Sequence, residues 1–225
     1  MAAWPCLACK KETIQTAAGP IETAVSRPKG KGPFPLLVIA PAKQYTMEGK
    51  IFEELAHGAA GLGYYVVRFN WGYIPKKSEP SADLSAEAKE LDAVIEHFRK
   101  ESKVDAGRVV LAAKSFGTKV AMLGPEQKAR ALLLLTPNCD AERTFRKTYQ
   151  PVFASTKKAH VVISVNDPYC DINQIHEALK DLGSRVTVHT LFGDHNFVLK
   201  SAASDINEKA AIQSSLNWLR QVQDN

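Results

Sequence analysis

The stretch from Arg108 to Thr118 constrains the fold of this 225-residue chain more than any other segment. β-branched and apolar residues run directly into Ser115, and Gly117 follows two positions later. Residues 118–123 then have the composition of a short helix. The pattern predicts a strand that turns sharply into a helix and holds the Ser115 hydroxyl out at the carboxyl edge of a sheet. The next amide, that of Phe116, is then free to donate a hydrogen bond to a developing oxyanion.

Apolar strands alternate with helical segments along most of the chain. Continuous apolar runs or strict alternation predict strands at residues 36–40, 64–69, 108–115, 131–136, 161–165 and 185–192. Apolar residues at helical spacing predict helices at residues 47–62, 83–103, 172–182 and 203–222. This alternation predicts an α/β fold with a mostly parallel central sheet and helices on both faces.

The N-terminal region predicts a different kind of pairing. Residues 12–17 and 21–27 have the pattern of two short strands around the turn Gly19-Pro20, and we expect an antiparallel hairpin at the edge of the sheet. Residues 1–11 are expected to form a tail, and residues 12–225 to form a single domain. Hydrophobic residues make up 45% of the chain, which is enough for one sizeable core.

Composition argues against several classes of function. The formal net charge of +5 comes from scattered lysines and not from a basic block, so nucleic-acid binding is not expected. No stretch approaches about 18 continuous apolar residues, so no membrane span is expected. The first residues lack a secretory signal, which predicts a cytoplasmic location. Cys6 and Cys9 form a C-x-x-C pair with no second pair, so we expect reduced thiols in the tail and neither a metal nor a cofactor.

A serine nucleophile needs a base and an orienting acid, and the chain offers both after later strands. His195 lies in a glycine-containing loop after the last predicted strand, where one ring nitrogen can face a serine and the other a carboxylate. Asp167 directly follows the strand at residues 161–165 and is the preferred acid. Asp171 is the alternative, although its position suits the N-cap of the next helix. The other five histidines are interpreted as surface or core residues: His57, His97, His160, His176 and His189.

The order Ser115, Asp167, His195 resembles that of the α/β-hydrolase superfamily, in which serine, acid and histidine follow one another. The chain is more closely similar to the small, dienelactone-hydrolase-like branch that has no large lid. Three segments have close counterparts in that branch: residues 68–70, 114–117 and 194–197. The resemblance implies a single-domain α/β-hydrolase fold without a lid, and a serine hydrolase in which these three residues form a catalytic triad.

The segment after the first buried strand departs from the pattern of that family. Where the family has His-Gly, this chain has Pro41-Ala42-Lys43. Because Pro41 has no N–H to donate, the second oxyanion donor, beside the Phe116 amide, is expected to be Ala42, with Lys43 as the alternative. Gly117 is retained two positions after the serine, whereas the usual glycine two positions before it has become alanine.

Residues 137–158 are the only stretch that could cover such a site, and their length allows one short helix and no lid domain. We therefore expect an open site that suits small acyl substrates and favours short acyl chains. Four aromatic residues near the catalytic loops are expected to line it, with ordinary core packing as the alternative: Tyr45, Trp71, Tyr169 and Phe197.

Three hypotheses for the function remain. The first is hydrolysis of esters or thioesters of small molecules through an acyl-enzyme. The second is a peptidase or another amide hydrolase, for which no acidic cluster that could bind an amine is visible. The third is a catalytically silent binding module on the same fold. Because silent relatives typically lose the serine or the histidine, the first hypothesis is favoured; the expected partner is a small acyl substrate, and a homodimer is left open.

Overall fold

The computed structural model describes residues 9–139, 145–153, 157–180, 183–199 and 205–223. Within these ranges eight strands form one sheet in the order β1-β2-β4-β3-β5-β6-β7-β8. The strands are β1 (Cys9–Thr16), β2 (Gly19–Ser26), β3 (Phe34–Ala40), β4 (Tyr65–Phe69), β5 (Val104–Ser115), β6 (Ala131–Pro137), β7 (Lys158–Ser164) and β8 (Val186–Leu191). The helices are α1 (Lys50–Gly61), α2 (Tyr73–Lys76), α3 (Ser85–Phe98), α4 (Phe116–Ala121), α5 (Phe145–Phe153), α6 (Ile172–Leu179) and α7 (Ile206–Gln223).

The sheet is parallel from β4 through β8 and antiparallel at its N-terminal edge. β3 pairs in parallel with both β4 and β5, and the parallel ladder continues through β6 and β7 to β8. β1 and β2 form an antiparallel hairpin, and β2 joins the sheet antiparallel to β4. The predicted fold class is therefore confirmed, including the edge hairpin.

Successive residues of each central strand are buried on opposite faces of the sheet. In β3, Leu36 and Val38 belong to one core cluster, while Leu37 and Ile39 belong to the other. The first cluster contains buried residues of α3, α4, α5 and α6, and the second contains those of α1 and α7. Because side chains alternate along a strand and both faces are covered, the central strands are mostly apolar.

Two predictions about the N-terminal residues need correction. β1 begins at Cys9 and pairs it with Ser26, so residues 9–11 belong to the sheet and not to a tail. The two lysines at 10 and 11 are tolerated there because an edge strand leaves their side chains exposed. Cys9 is disulfide-bonded and not a reduced thiol, while Cys6 lies outside the described residues.

Among the helices of the described residues, none has both the length and the apolar character of a membrane span.

Candidate active site

Ser115 occupies a strained turn between β5 and α4. It has φ 50° and ψ −115°, a conformation with positive φ that non-glycine residues rarely adopt. The strand ends at this serine and the helix begins at the next residue, Phe116. The sharp turn leaves Ser115 half-buried at the carboxyl edge of the sheet, as the strand-Ser-x-Gly-helix pattern predicts.

Hydrogen bonds from α4, α5 and the loop after β6 stabilise this turn. The Thr118 hydroxyl donates a hydrogen bond to the Ser115 carbonyl at 2.5 Å and lies 2.6 Å from the Tyr149 hydroxyl. The Asn138 amide donates to the same threonine oxygen at 3.0 Å, and Tyr149 donates to the Asn138 carbonyl at 2.7 Å. α5 is thereby joined to the serine turn, a role that nothing in the sequence pattern around Tyr149 indicates.

His195 and Asp167 complete a continuous hydrogen-bonded row with Ser115. The His195 Nε2 atom lies 2.7 Å from the Ser115 Oγ atom, and its Nδ1 atom lies 2.7 Å from the Asp167 Oδ2 atom. The Asp167 side chain is fully buried and that of His195 is 12% exposed. A buried carboxylate on Nδ1 holds that proton in place, which leaves Nε2 as the acceptor for the serine proton.

The alternative acid, Asp171, is occupied elsewhere. It is the N-cap of α6, and its side chain accepts a hydrogen bond from the Asn173 amide at 2.9 Å. Asp167 is held by its own turn, in which its Oδ1 atom accepts from the Tyr169 amide at 2.9 Å. The structure therefore brings Asp167, and not Asp171, to the histidine.

His160 illustrates how the other histidines differ. His160 lies in β7, and its ring contacts β8 and α7. The Nδ1 atom lies 2.7 Å from the Thr187 hydroxyl and the Nε2 atom lies 2.9 Å from the Ser214 hydroxyl. Burial lowers the pKa of His160 to about 4, so the ring is neutral near pH 7. Its stacking on Trp218 gives it a packing role, as expected.

Gly117 lets the loop after β3 approach the start of α4. A Cβ atom at Gly117 would lie 2.6 Å from the Ala40 carbonyl oxygen and 2.7 Å from that of Pro41, closer than real Cβ atoms come to backbone. This contact places the loop after β3 against the first turn of α4, whose first residue, Phe116, has no acceptor for its amide within the helix.

The two candidate second donors differ in exposure. Ala42 is buried, and none of the described residues accepts a hydrogen bond from its amide or from that of Lys43. Lys43 is exposed; its ammonium forms an ion pair with Glu79 at 2.6 Å, and its carbonyl accepts from the Tyr73 hydroxyl at 2.7 Å.

The Arg68-Phe-Asn70 segment at the end of β4 fixes the position of the same loop. The Arg68 guanidinium donates to the Met47 carbonyl, and the Asn70 side-chain oxygen accepts from the Met47 amide at 2.8 Å. One residue of the loop is thus held on both its donor and its acceptor. These contacts give Arg68 and Asn70 a structural role in the loop after β3.

The four aromatic residues expected to line the site fall into two groups. Tyr169 is 53% exposed and contacts the His195 ring edge-on at 4.6 Å, and Tyr45 is half-buried with its hydroxyl donating to the Asn196 side chain. Trp71 and Phe197 are fully buried, so the expectation that they line the site is wrong.

Both corrections have a structural cause. The Trp71 indole donates to the Pro41 carbonyl at 3.0 Å, so it supports the loop after β3 from inside the core. Phe197 turns inward with φ 62° and belongs to the α1 and α7 face of the core. Nearness in sequence to a catalytic loop does not fix the direction of a side chain.

Sequence reasoning gave no role to Lys114 or to the cysteines at 139 and 170. Lys114 is 2% exposed, although it directly precedes the candidate nucleophile. The signal that could have found it is a charge directly after the apolar run at residues 109–113 and directly before Ser115. Cys139 and Cys170 form a disulfide that joins the loop after β6 to the loop that carries Asp167; their distance in sequence gave no indication of it.

A mostly parallel sheet that carries a strained serine turn at the end of its fifth strand is the architecture of an α/β hydrolase. The chain belongs to the family described as alpha/beta hydrolase domain, whose model matches residues 36–223. The resemblance stated from the sequence is therefore confirmed at the level of this superfamily.

Comparison with known proteins adds relatives whose activity is described. The chain is 30% identical over 125 residues to esterase EstD of Thermotoga maritima; the match covers 50% of this chain and 29% of that protein. An α/β serine hydrolase without a lid from Xanthomonas campestris has a TM-score of 0.67 at 19% identity, with 99% of this chain and 96% of that one covered. Esterase 2 of Thermogutta terrifontis, in a form phosphorylated by paraoxon, has a TM-score of 0.73 at 13% identity, with 99% and 98% covered. At these identities the two solved structures establish the fold.

Proposed function

We propose that this protein is a serine hydrolase that cleaves carboxylic esters or thioesters of small substrates, with Ser115, His195 and Asp167 as its catalytic triad. The observation that carries the proposal is the row of two 2.7 Å contacts from the Ser115 Oγ atom through the His195 ring to Asp167. Its position at the carboxyl edge of a parallel sheet is where α/β proteins bind ligands. The likeness to EstD and to esterase 2 supports ester bonds as the target.

In the proposed reaction, the Ser115 Oγ atom attacks the carbonyl carbon of the ester while His195 Nε2 takes the serine proton. Asp167 keeps the ring oriented and stabilises the imidazolium that forms. The Phe116 and Ala42 amides donate to the oxygen that becomes negative. His195 then gives the proton to the leaving alcohol or thiol, and the acyl group stays on Ser115 until a water activated by the same histidine removes it.

The shape of the site supports small substrates. The described part of residues 137–158 contains α5, and its aromatic side chains are fully buried in the core, so this helix is fixed to the body of the protein. Of the candidate lining residues, Tyr169 and Tyr45 reach the surface beside His195. An open site leaves distal methylenes in water, and each forgoes about 0.8 kcal/mol of binding. We therefore expect kcat/KM on p-nitrophenyl esters to be highest for short acyl chains; a maximum at long chains would contradict an open site.

Hydrolysis of p-nitrophenyl acetate by the wild type and by Ser115→Ala tests the proposal. We expect the wild type to turn over and Ser115→Ala to lose at least about 10³-fold in kcat, because triad members act as a unit. Ser164→Ala is the matched control: Ser164 ends β7, two strands away from β5 in the sheet, is buried, and has no hydrogen-bond partner for its hydroxyl among the described residues. A folded wild type without turnover would favour a silent binding module, and an active Ser115→Ala would place the nucleophile elsewhere.

A further inference from the structure

Lys114 is a buried basic side chain to which the proposed reaction gives no role. It is 2% exposed, in the position directly before the candidate nucleophile. Its ammonium donates a hydrogen bond to the Thr136 hydroxyl at 2.9 Å and another to the main-chain carbonyl of His195 at 3.1 Å. Buried lysines are rare because the charged group must leave water. A lysine kept here needs a reason beyond packing.

The surroundings of the ammonium fix its position. The Lys114 Nζ atom lies 5.7 Å from the ring centre of Tyr45 and 5.6 Å from that of Phe197, within the range of cation–π attraction. These two rings and the two hydrogen-bond acceptors come from three separate segments of the chain, since His195 and Phe197 lie in the same loop. The ammonium is therefore the point at which the loops after β3 and β8 are joined to the ends of β5 and β6.

Thr136 adopts a strained conformation that supplies one of the acceptors. It has φ 39° although it is β-branched and fully buried. The register between β5 and β6 shifts here, since Lys114 pairs with Leu135 but Ser115 pairs with Pro137. Strain of this kind is concentrated at functional sites. The end of β6 is thus bent at the residue that binds the ammonium.

We propose that Lys114 is a positioning residue for His195, acting by holding the main-chain carbonyl of that histidine in place. Asp167 orients the ring through Nδ1, but it does not fix the backbone from which the ring extends. Lys114 fixes that backbone through its hydrogen bond to the His195 carbonyl. Together with the Asp167 contact, this bond leaves the His195 ring one orientation toward Ser115. The kinetic part of this proposal rests on the proposed function; the structural part does not.

The charge on Lys114 strengthens its bond to the His195 carbonyl. Burial lowers the pKa of Lys114 to about 8, opposed by the carboxylates of Asp167, Asp194 and Glu208. Tyr45, whose ring centre lies 5.7 Å from the ammonium, also faces it, and the pKa of Tyr45 is raised mainly by burial. Near pH 7 the side chain is therefore an ammonium, and hydrogen bonds from a charged donor are about twice as strong as neutral ones. Above about pH 8 it becomes an amine and the hold on the loop weakens.

The kinetic test compares Lys114→Met, which keeps the length and loses the donor and the charge, with Lys119→Met on α4. Lys119 is half-buried, and its ammonium forms no hydrogen bond or ion pair with the described residues. Lys119→Met therefore controls for the loss of a nearby lysine. We expect Lys114→Met to lower kcat on p-nitrophenyl acetate about 10- to 100-fold with KM within about twofold, since a misplaced catalytic group affects the transition state and not ground-state binding. Lys119→Met should match the wild type.

Two further readouts separate positioning from general stabilisation. The kcat of the wild type should fall as pH rises through about 8, while Lys114→Met should be flat over that range. Thr136→Val, which removes the second acceptor with little change in shape, should lower kcat less than Lys114→Met, and the double variant should be no worse than Lys114→Met alone.

A measurement without substrate keeps this claim distinct from the proposed function. The low-field proton resonance of His195 Nδ1–H reports the bond to Asp167, and we expect it in the wild type and in Lys119→Met but lost or broadened in Lys114→Met. If the wild type does not hydrolyse esters, the proposed function fails and this resonance alone decides the positioning role. An unchanged resonance, or an unchanged kcat in an active enzyme, would overturn the proposal.

Discussion

The body of the sheet and its carboxyl edge solve the burial of polar groups in different ways. Within the body, His160 has a hydroxyl group on each ring nitrogen, and burial keeps it neutral. At the edge, Lys114 is buried as an ammonium near pH 7 and is held by contacts from several loops. A neutral group with satisfied partners costs little, whereas a buried charge is kept only where the surrounding structure fixes it.

Backbone strain is distributed in the same way. Of the five described non-glycine residues with positive φ, three lie at this edge: Ser115, Thr136 and Phe197. The strand bodies below them are largely apolar. The regular part of the sheet supplies the stability that offsets the cost of strain and buried charge at the edge. We therefore expect substitutions at the edge to change kcat and the free energy of unfolding independently of each other.

The largest effect is expected for Asp167, and Asp171 in the same loop provides the control. Asp167→Asn should lower kcat by about 10³-fold or more, because the amide cannot hold His195 in the orientation and tautomer that the reaction needs. Asp171→Asn should keep kcat and change the free energy of unfolding by less than about 1 kcal/mol, since asparagine also caps helices. Steady-state kinetics and urea unfolding on both variants provide the measurement. A larger loss of kcat for Asp171→Asn would mean that the acid is assigned wrongly.

A pair of glycines gives the next effect. In Gly117→Ala the new methyl group would meet the Ala40 and Pro41 carbonyls, so the loop with Ala42 must move. We expect a loss of about 2–3 kcal/mol in the free energy of unfolding and about 10²-fold in kcat/KM.

Gly61→Ala is the control for that variant, because a Cβ atom at Gly61, the last residue of α1, has nothing within 4 Å. It should raise the free energy of unfolding by about 0.5–1 kcal/mol, the usual gain for alanine over glycine in a helix. Equal stability of the two alanine variants would contradict the close approach at Gly117.

The last effect concerns stability alone and is the pH dependence due to Lys114. Its pKa is about 8 in the folded state against 10.5 unfolded, so between these values the unfolded chain binds more protons and stability rises with pH. Unfolding by urea at pH 7 and 9.5 should show that the wild type gains about 2 kcal/mol relative to Lys114→Met over this range. A constant difference between the two proteins would mean that Lys114 is not a buried charge.

The sequence predicted the sheet and the three residues of the proposed triad because each is marked by local pattern. Ser115 follows an apolar strand, and Asp167 and His195 follow two others at the same edge, so parallel pairing alone brings them together. Lys114 and Thr136 could not be predicted in the same way. Their contact depends on a register shift between β5 and β6, which is set by packing and not by any local signal.

The direction of aromatic side chains was the other part that sequence did not determine. Trp71 and Phe197 lie near the proposed catalytic residues in sequence, yet their rings pack into the core. Tyr169 and Tyr45 carry hydroxyl groups and remain at the surface. Which of these rings faces a substrate depends on loop conformation, and for Phe197 on an unusual positive φ.

Covalent labelling of Ser115 tests the central claim most directly. The wild type, Ser115→Ala and Lys114→Met are incubated with a fluorophosphonate, and the modified peptide is identified by mass spectrometry. We expect one adduct per chain on Ser115 in the wild type, none in Ser115→Ala, and slower formation of the same adduct in Lys114→Met. An adduct on another residue, or no adduct on a folded wild-type protein, would contradict the assignment of Ser115 as an activated nucleophile.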